Sequence, residues 1–201
     1  MIYLSRLRLN QSRAALLWSA NPYRMHQRLS MGSGHDPRLL FRLEEAQGSA
    51  QVLVQSQCQP DWAEVFVDLP VLAAPPEFKP LNLRLAAGMA CCFRLLANPT
   101  VKRAGKRLGL MREPDQRAWL ERKLGEAGCQ VLSLTVTPRG ILRSRKGTGD
   151  EQGQQSHLAV LYDGVLQVLD PGALVSAVEA GIGSAKGYGF GLLSLAPLRG
   201  A

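Results

Sequence analysis

The sequence predicts an α+β protein of two tandem ferredoxin-like (RRM-like, βαββαβ) domains, residues 1–87 and 88–201. Three observations carry this prediction. Short runs that alternate apolar with polar residues, as at 2–9, 39–44 and 51–56, have the period of half-buried strands. Helix starts are marked by a capping residue followed by proline, at Asn21-Pro22 and at Asp170-Pro171. The β-α-β-β-α-β order then restarts after Gly88.

In the first half, residues 2–9 form a strand with Leu7 and Leu9 on one face and Arg6 and Arg8 on the other. A polar-then-apolar stretch, 11–18, leads to Asn21-Pro22 and a helix over 22–30, ended by Gly32, Gly34 and Pro37. Two strands, 39–44 and 51–56, are joined through Gly48. A short helix over 61–68 is expected around Trp62, Val65 and Phe66, capped by Asp61, and after a proline-rich loop a strand at 81–85. In the second half, 89–96 is a strand, 97–112 a basic loop, and 114–124 a helix that buries Trp119, Leu120 and Leu124. A strand at 130–137 ends at Pro138. The polar segment 139–155 reads as a long hairpin loop or flexible arm. Asp163-Gly164 signals a tight hairpin between strands 157–162 and 165–169. A helix to Ala180, a glycine-rich stretch (181–191) and a strand at 191–196 complete the chain.

Composition excludes several classes. Hydrophobic residues make up 46% of the 201 residues, too many for a disordered chain. No apolar run nears the roughly 18 residues a membrane span needs. The opening MIYLSRLRL alternates apolar and basic residues and forms no signal-peptide core, which predicts a protein that is not secreted. Cys58, Cys91, Cys92 and Cys129 lack metal-ligand spacing and are expected to be reduced core residues of a cytoplasmic protein.

The net charge of +8 points to a polyanion partner. Eighteen of the 24 basic residues are Arg, the side chain best shaped for bidentate phosphate contact, and residues 101–150 alone carry 12 basic and 5 acidic groups. Two clusters supply most of the excess. One is Arg94, Lys102, Arg103, Lys106, Arg107 and Arg112; the other is Arg139, Arg143, Arg145 and Lys146. Charge runs are usually solvated surface, but both fall among glycines with few acids, where a basic arm can flank an RNA duplex.

Only His26, His35 and His157 are present, and none has a Cys or carboxylate at ligand spacing, so no metal site is expected. His26 lies three residues after Tyr23, on one helix face, with Arg24 and Arg28 as a cationic edge able to hold a phosphate. An imidazole can give or take a proton at neutral pH, and a phenol can orient or share it. RNA carries its own nucleophile in the 2′-OH, so a proton-transfer group and a cation suffice for cleavage. The plain alternative is that both are ordinary half-buried helix residues. The segment GIGSAKGYGFG follows a helix, has Lys186 where a dinucleotide fingerprint needs its third glycine, and lacks the Gly-Lys-Ser/Thr ending of a phosphate-binding loop. Backbone amides at Gly181, Gly183, Gly187, Gly189 and Gly191 beside Lys186 are left as a candidate phosphate cradle, with a structural turn as the competing reading.

Five segments in order resemble the CasE family, the CRISPR RNA-processing endoribonucleases of the type I-E Cascade complex within the RAMP superfamily. They are MIYLSRLRL, NPYRMHQRL (21–29), FRLLANPTVK (93–102), EPDQRAWLERKLGEAG (113–128) and GIGSAKGYGFGLLSLAP (181–197). The resemblance implies that His26 is the catalytic histidine and Tyr23 its active-site partner. It implies cleavage of a CRISPR repeat stem-loop at the 3′ base of the stem without metal or other cofactor, by 2′-OH attack, leaving a 2′,3′-cyclic phosphate and a 5′-OH. It further implies that the enzyme stays on the guide with the other Cascade subunits. No membrane partner is expected, and the isolated protein is expected to be a monomer. The competing reading is a non-catalytic RNA-hairpin-binding subunit; a ribosome-associated structural protein would use the same charge, and no helix-turn-helix or zinc finger supports DNA binding.

Overall fold

A computed structural model describes residues 2–46, 48–146 and 153–198. The chain divides into two compact units. One comprises Met1–Asn82 with Ser144–Gln155 and Lys186–Gly189; the other comprises Leu83–Arg143, Ser156–Ala185 and Phe190–Ala201. No helix among the described residues is long and apolar enough to cross a membrane.

The first unit begins with β1 (Ile2–Leu9), whose Ser5, Leu7 and Leu9 are buried while Arg6 and Arg8 are exposed. The stretch after it forms a helix the sequence reading left unassigned, α1 (Arg13–Ser19), capped by Ser12 accepting from the Ala15 N–H. Helix α2 (Pro22–Gly32) starts as expected, with the Asn21 side chain accepting from the Arg24 N–H at 3.2 Å. It buries Met25 and Leu29, and at Gly32 it meets Trp62 so closely that a Cβ would stand 2.3 Å from the indole. Strands β2 (Leu40–Ala46), β3 (Ser49–Ser56) and β4 (Glu77–Leu81) complete a sheet ordered β4-β1-β3-β2, every neighbour antiparallel. This is the fourth-first-third-second order of a ferredoxin-like sheet.

Two expectations for this unit are corrected. Residues 63–68 are successive turns and not a helix. Asp61 accepts from the Ala63 N–H, and Arg28 takes the Val65 carbonyl at 2.9 Å. Trp62, Val65 and Phe66 still reach the core, the Trp62 indole donating to Ser5 Oγ. The last strand lies at 77–81 instead of 81–85, because Glu77 pairs opposite Arg6 and bonds both Arg6 and Arg8, and Pro80 is tolerated on an edge.

The second unit is built on β5 (Ala90–Ala97), β6 (Thr100–Arg103), β7 (Lys106–Gly109), α3 (Glu113–Glu126), β8 (Cys129–Lys146) up to Arg143, β9 (Gly153–Val168) from Ser156, α4 (Pro171–Ala180) and β10 (Leu193–Pro197). Its main sheet is ordered β10-β5-β9-β8, again fourth-first-third-second. Helix α3 buries Trp119, Leu120 and Leu124 as expected, and Asp170 caps α4 by accepting from the Ala173 N–H.

Three loops of the sequence reading are strands. The basic segment 97–112 contains the β6-β7 hairpin, turned by Ala104 and Gly105 in left-handed conformations. Much of 139–155 is the extended ends of β8 and β9; residues 147–152 of that arm lie outside the described residues. Asp163-Gly164 is no turn: β9 runs straight through it. Asp163 stands opposite Arg94 and binds it at 2.6 Å, and a Cβ on Gly164 would sit 2.1 Å from the Ser133 carbonyl oxygen. Cys91 and Cys129 are buried and Cys92 is half-buried, but Cys58 is exposed, not in the core.

Candidate active site

The site forms within the first unit. Tyr23 and His26 stand one turn apart on α2, both half-buried, because Met25 and Leu29 turn the adjacent face into the core. Against them lies a 3₁₀ turn, Lys186–Tyr188, closed by the Gly189 N–H donating to the Lys186 carbonyl. Tyr188 stacks on Tyr23 with ring centroids 6.5 Å apart. A Cβ on Gly187 would lie 3.6 Å from the His26 ring. The opposite wall is Phe41 on β2, its centroid 6.2 Å from the imidazole. Gly189, at φ +87°, lies over Phe41 where a Cβ would be only 3.2 Å from the ring.

Burial lowers the His26 pKa from its ordinary value of 6.5, so the neutral ring dominates at neutral pH and is ready to accept a proton. Lys186 is half-buried; burial first, and then the Arg38 guanidinium, lowers its ammonium below the usual lysine value. The site therefore gathers a neutral imidazole, a phenol and a cation where the 186–188 turn meets α2. That set can transfer a proton and stabilise an anion. Among the described residues no three His, Cys, Asp or Glu side chains gather as a possible metal site.

The other expected residues are distributed more widely. Arg24 is exposed beside the site. Arg28 is held by Asp68 through two bonds of 2.8 and 3.0 Å, which keeps the Asp68 carboxyl below its ordinary pKa. Its charge is committed inside the fold. In the second unit Arg94 pairs with Asp163, and Arg112 with Asp115. Lys102, Arg103, Lys106 and Arg107 are all exposed on the β6-β7 hairpin, Lys102 opposite Arg107 and Arg103 opposite Lys106. Like charges directly opposite repel, so the ribbon favours an anion. Arg139 and Arg143 are exposed on β8. The backbone of Arg145 and Lys146 continues that strand, and their side chains lie outside the described residues.

Of the five glycines, Gly187 and Gly189 join the His26 site, whereas Gly181, Gly183 and Gly191 belong to the second unit. The Gly181, Gly189 and Gly191 amides donate to carbonyls of the fold, so those three serve packing and turning. The sequence reading missed Phe41 and Tyr188. Tyr188 had a signal, an aromatic ring inside a glycine-rich run; Phe41 looked like any strand residue.

Comparison with known proteins follows the same outline. A family described as "CRISPR associated protein" matches residues 2–197. The chain is 40% identical to the CRISPR-associated endoribonuclease Cse3 of Thermus thermophilus, covering 98% of this chain and 100% of that one. It is 34% identical to the CRISPR system Cascade subunit CasE of Escherichia coli, covering 92% and 96%. A structure of the CRISPR endoribonuclease Cse3 bound to a 19 nt RNA superposes with a TM-score of 0.84 at 39% identity, over 97% of this chain and 100% of that one.

Proposed function

From the membership of this chain in the CRISPR-associated CasE/Cse3 family, we propose that it is an endoribonuclease cutting precursor CRISPR RNA at the 3′ base of the repeat stem-loop. The reaction needs no metal. His26 in its neutral form takes the proton of the upstream 2′-OH, the 2′-oxygen attacks phosphorus, and the bond from phosphorus to the 5′-oxygen breaks. The 5′-oxygen leaves with a proton drawn from water, the protonated His26 returns its own to solvent, and the products carry a 2′,3′-cyclic phosphate and a 5′-OH. Tyr23, held in place by its stack on Tyr188, orients and shares the proton at this site.

The observation that carries this reading is the pairing of Tyr23 and His26 on one half-buried helix face, walled by the 186–189 turn. The domains divide the work: residues 1–87 carry the catalytic helix, and 88–201 the basic hairpin arm and glycine-rich segment. The exposed cations Lys102, Arg103, Lys106, Arg107, Arg139 and Arg143 contact the phosphates of the stem, helped by Arg145, Lys146 and Arg24. After cutting, the enzyme stays on the hairpin and joins the other Cascade subunits in the cytoplasm.

The test is cleavage of a labelled repeat hairpin in EDTA by the wild type and by His26→Ala, with a 2′-deoxy substitution at the cut site as control. A single cut by the wild type alone, absent with the deoxy substrate, is expected. Tight binding without any cut by the wild type would make the chain a non-catalytic subunit.

A further inference from the structure

The first unit carries an apolar groove that the reaction does not use. It is a cleft of about 810 Å³ beside the edge strand β4, between the turns at 60–67 and the segment 72–78. Its floor is Trp62 and Phe66, both core residues, with the half-buried Leu72. At its rim two large apolar side chains stay in water, Val67 at 72% exposure and Phe78 at 44%. Both walls are held by the fold. The Asp61 N–H donates to the Gly32 carbonyl and the Ala73 N–H to the Arg8 carbonyl, each at 2.8 Å, and the Trp62 indole donates to Ser5 Oγ. Pro60, Pro75 and Pro76 stiffen the backbone between those bonds. A groove prepared in this way needs little further ordering when something fills it.

Exposed apolar patches with a polar rim mark interaction sites, and the charge around this one says of which kind. Residues 43–78 contain none of the 24 Lys and Arg side chains, and hold Glu44, Glu45, Asp61, Glu64, Asp68 and Glu77. Arg28 neutralises Asp68, and Arg6 with Arg8 neutralises Glu77. Asp61 lines the groove, its carboxylate fixed by the Ala63 N–H, and Glu64 follows on the same turns; both are exposed and neither makes an ion pair among the described residues. Lys79 comes next to Phe78 in sequence but stands on the other face of β4, opposite Leu4. The rim therefore repels a phosphate backbone and attracts a cation, in a chain whose overall charge of +8 does the reverse.

We propose that this groove seats a basic amphipathic segment of another Cascade subunit, with its apolar side chains on Trp62 and Phe66 and a flanking Lys or Arg against Asp61 and Glu64. This rests on the reading that the chain joins Cascade, and adds the face by which it joins. Burial of Val67 and Phe78 supplies the affinity, while the acidic rim selects a cationic protein segment over RNA. The charges meet at an edge that water reaches, so salt weakens the contact without abolishing it.

The experiment uses the full chain and two forms of Cascade assembled from its own host's other subunits: one on a guide that ends before the repeat hairpin, the other on a guide that keeps it. Kd for each form is measured for the wild type, for Glu64→Lys and for Val67→Ser combined with Phe78→Ser, with a cooperative melt as the check on folding. The wild type is expected to bind the form without the hairpin, and each variant to bind it about tenfold or more weakly, while cleavage rate and Kd for the free hairpin stay within about twofold. Equal binding by all three proteins would overturn the groove as the docking face. So would a wild type that binds only the form with the hairpin, since RNA alone would then tether it. A raised hairpin Kd in the double variant would give the groove to RNA, and self-association of the wild type that this variant abolishes would give it to a second copy; either result overturns the proposal. A wild type that binds neither form removes the Cascade reading and the docking face together, whereas cleavage of the free hairpin still decides the endoribonuclease reading by itself.

Discussion

The two units share one strand order and both tie arginines to acids, but they differ in whether they also gather cations on one exposed ribbon. In the first, four arginines are tied to acids: Arg6 and Arg8 to Glu77, Arg28 to Asp68, and the buried Arg42 to Glu44. In the second, the hairpin sets Lys102, Arg103, Lys106 and Arg107 against one another in solvent, with no ion pair among the described residues. Net charge therefore says little about where a polyanion is held; what counts is whether a cation has already been satisfied by the fold. The first unit uses its charge to fix a helix and a strand edge around a neutral histidine. The second ties Arg94, Arg112, Arg117 and Arg122 to acids as well, and leaves the charge of its hairpin available.

This division can be broken by substitution. His26→Ala is expected to lower single-turnover cleavage by about 10³-fold while leaving hairpin affinity within about twofold, because a proton-transfer group is lost and no phosphate contact is. A comparable fall in affinity would erase the division. Next in size is Gly164→Ala in the second unit. Its added Cβ meets the Ser133 carbonyl oxygen, which a backbone atom cannot yield cheaply, and thermal unfolding should fall by about 10 °C, from roughly 3 kcal/mol of overpacking. An unaltered melting temperature would show that β8 can move away.

Replacing the four hairpin cations by Ala sharpens the comparison from the other side. Affinity should weaken by about 10- to 100-fold and the slope of log K against log salt should shrink by about 3, with the rate at saturating enzyme unchanged. A lower rate at saturation would give the second unit a share of the chemistry. The smallest effect is on pH dependence. The working imidazole is neutral and its pKa is lowered by burial, so the rate is at its plateau above neutral pH and declines only as pH falls through that lowered value. At pH 6.5 more than half of the plateau rate should remain; a rate that instead falls as pH rises through neutrality would mean that the histidine acts in its charged form.

Local chemistry made much of the fold legible. Asn21-Pro22 and Asp170-Pro171 marked two helix starts that the caps bear out, and the alternation in 2–9 set which side of β1 is buried. The failures share a cause, which is that the deciding partner is remote in sequence. Asp163-Gly164 has the local signature of a turn, but Arg94, 69 residues away, holds Asp163 in a strand, and the Ser133 carbonyl requires glycine at the next position. Arg28 looked like a phosphate ligand because Asp68, which occupies it, lies 40 residues on. At the candidate site, Tyr23 and His26 were visible because helical spacing puts them on one face. Phe41 was not, since the strand pattern of its own segment does not say that the turn at 186–188 will pack beside it.

That turn has a consequence for the timing of synthesis. His26 is made early, but the wall against it comes from Lys186–Gly189, near the end of the chain. While the ribosome is still extending the polypeptide, the first unit carries its imidazole on a helix open to water on one side, with Tyr23 unstacked. The surroundings of the histidine are thus completed only when the segment through residue 189 has been made and packed.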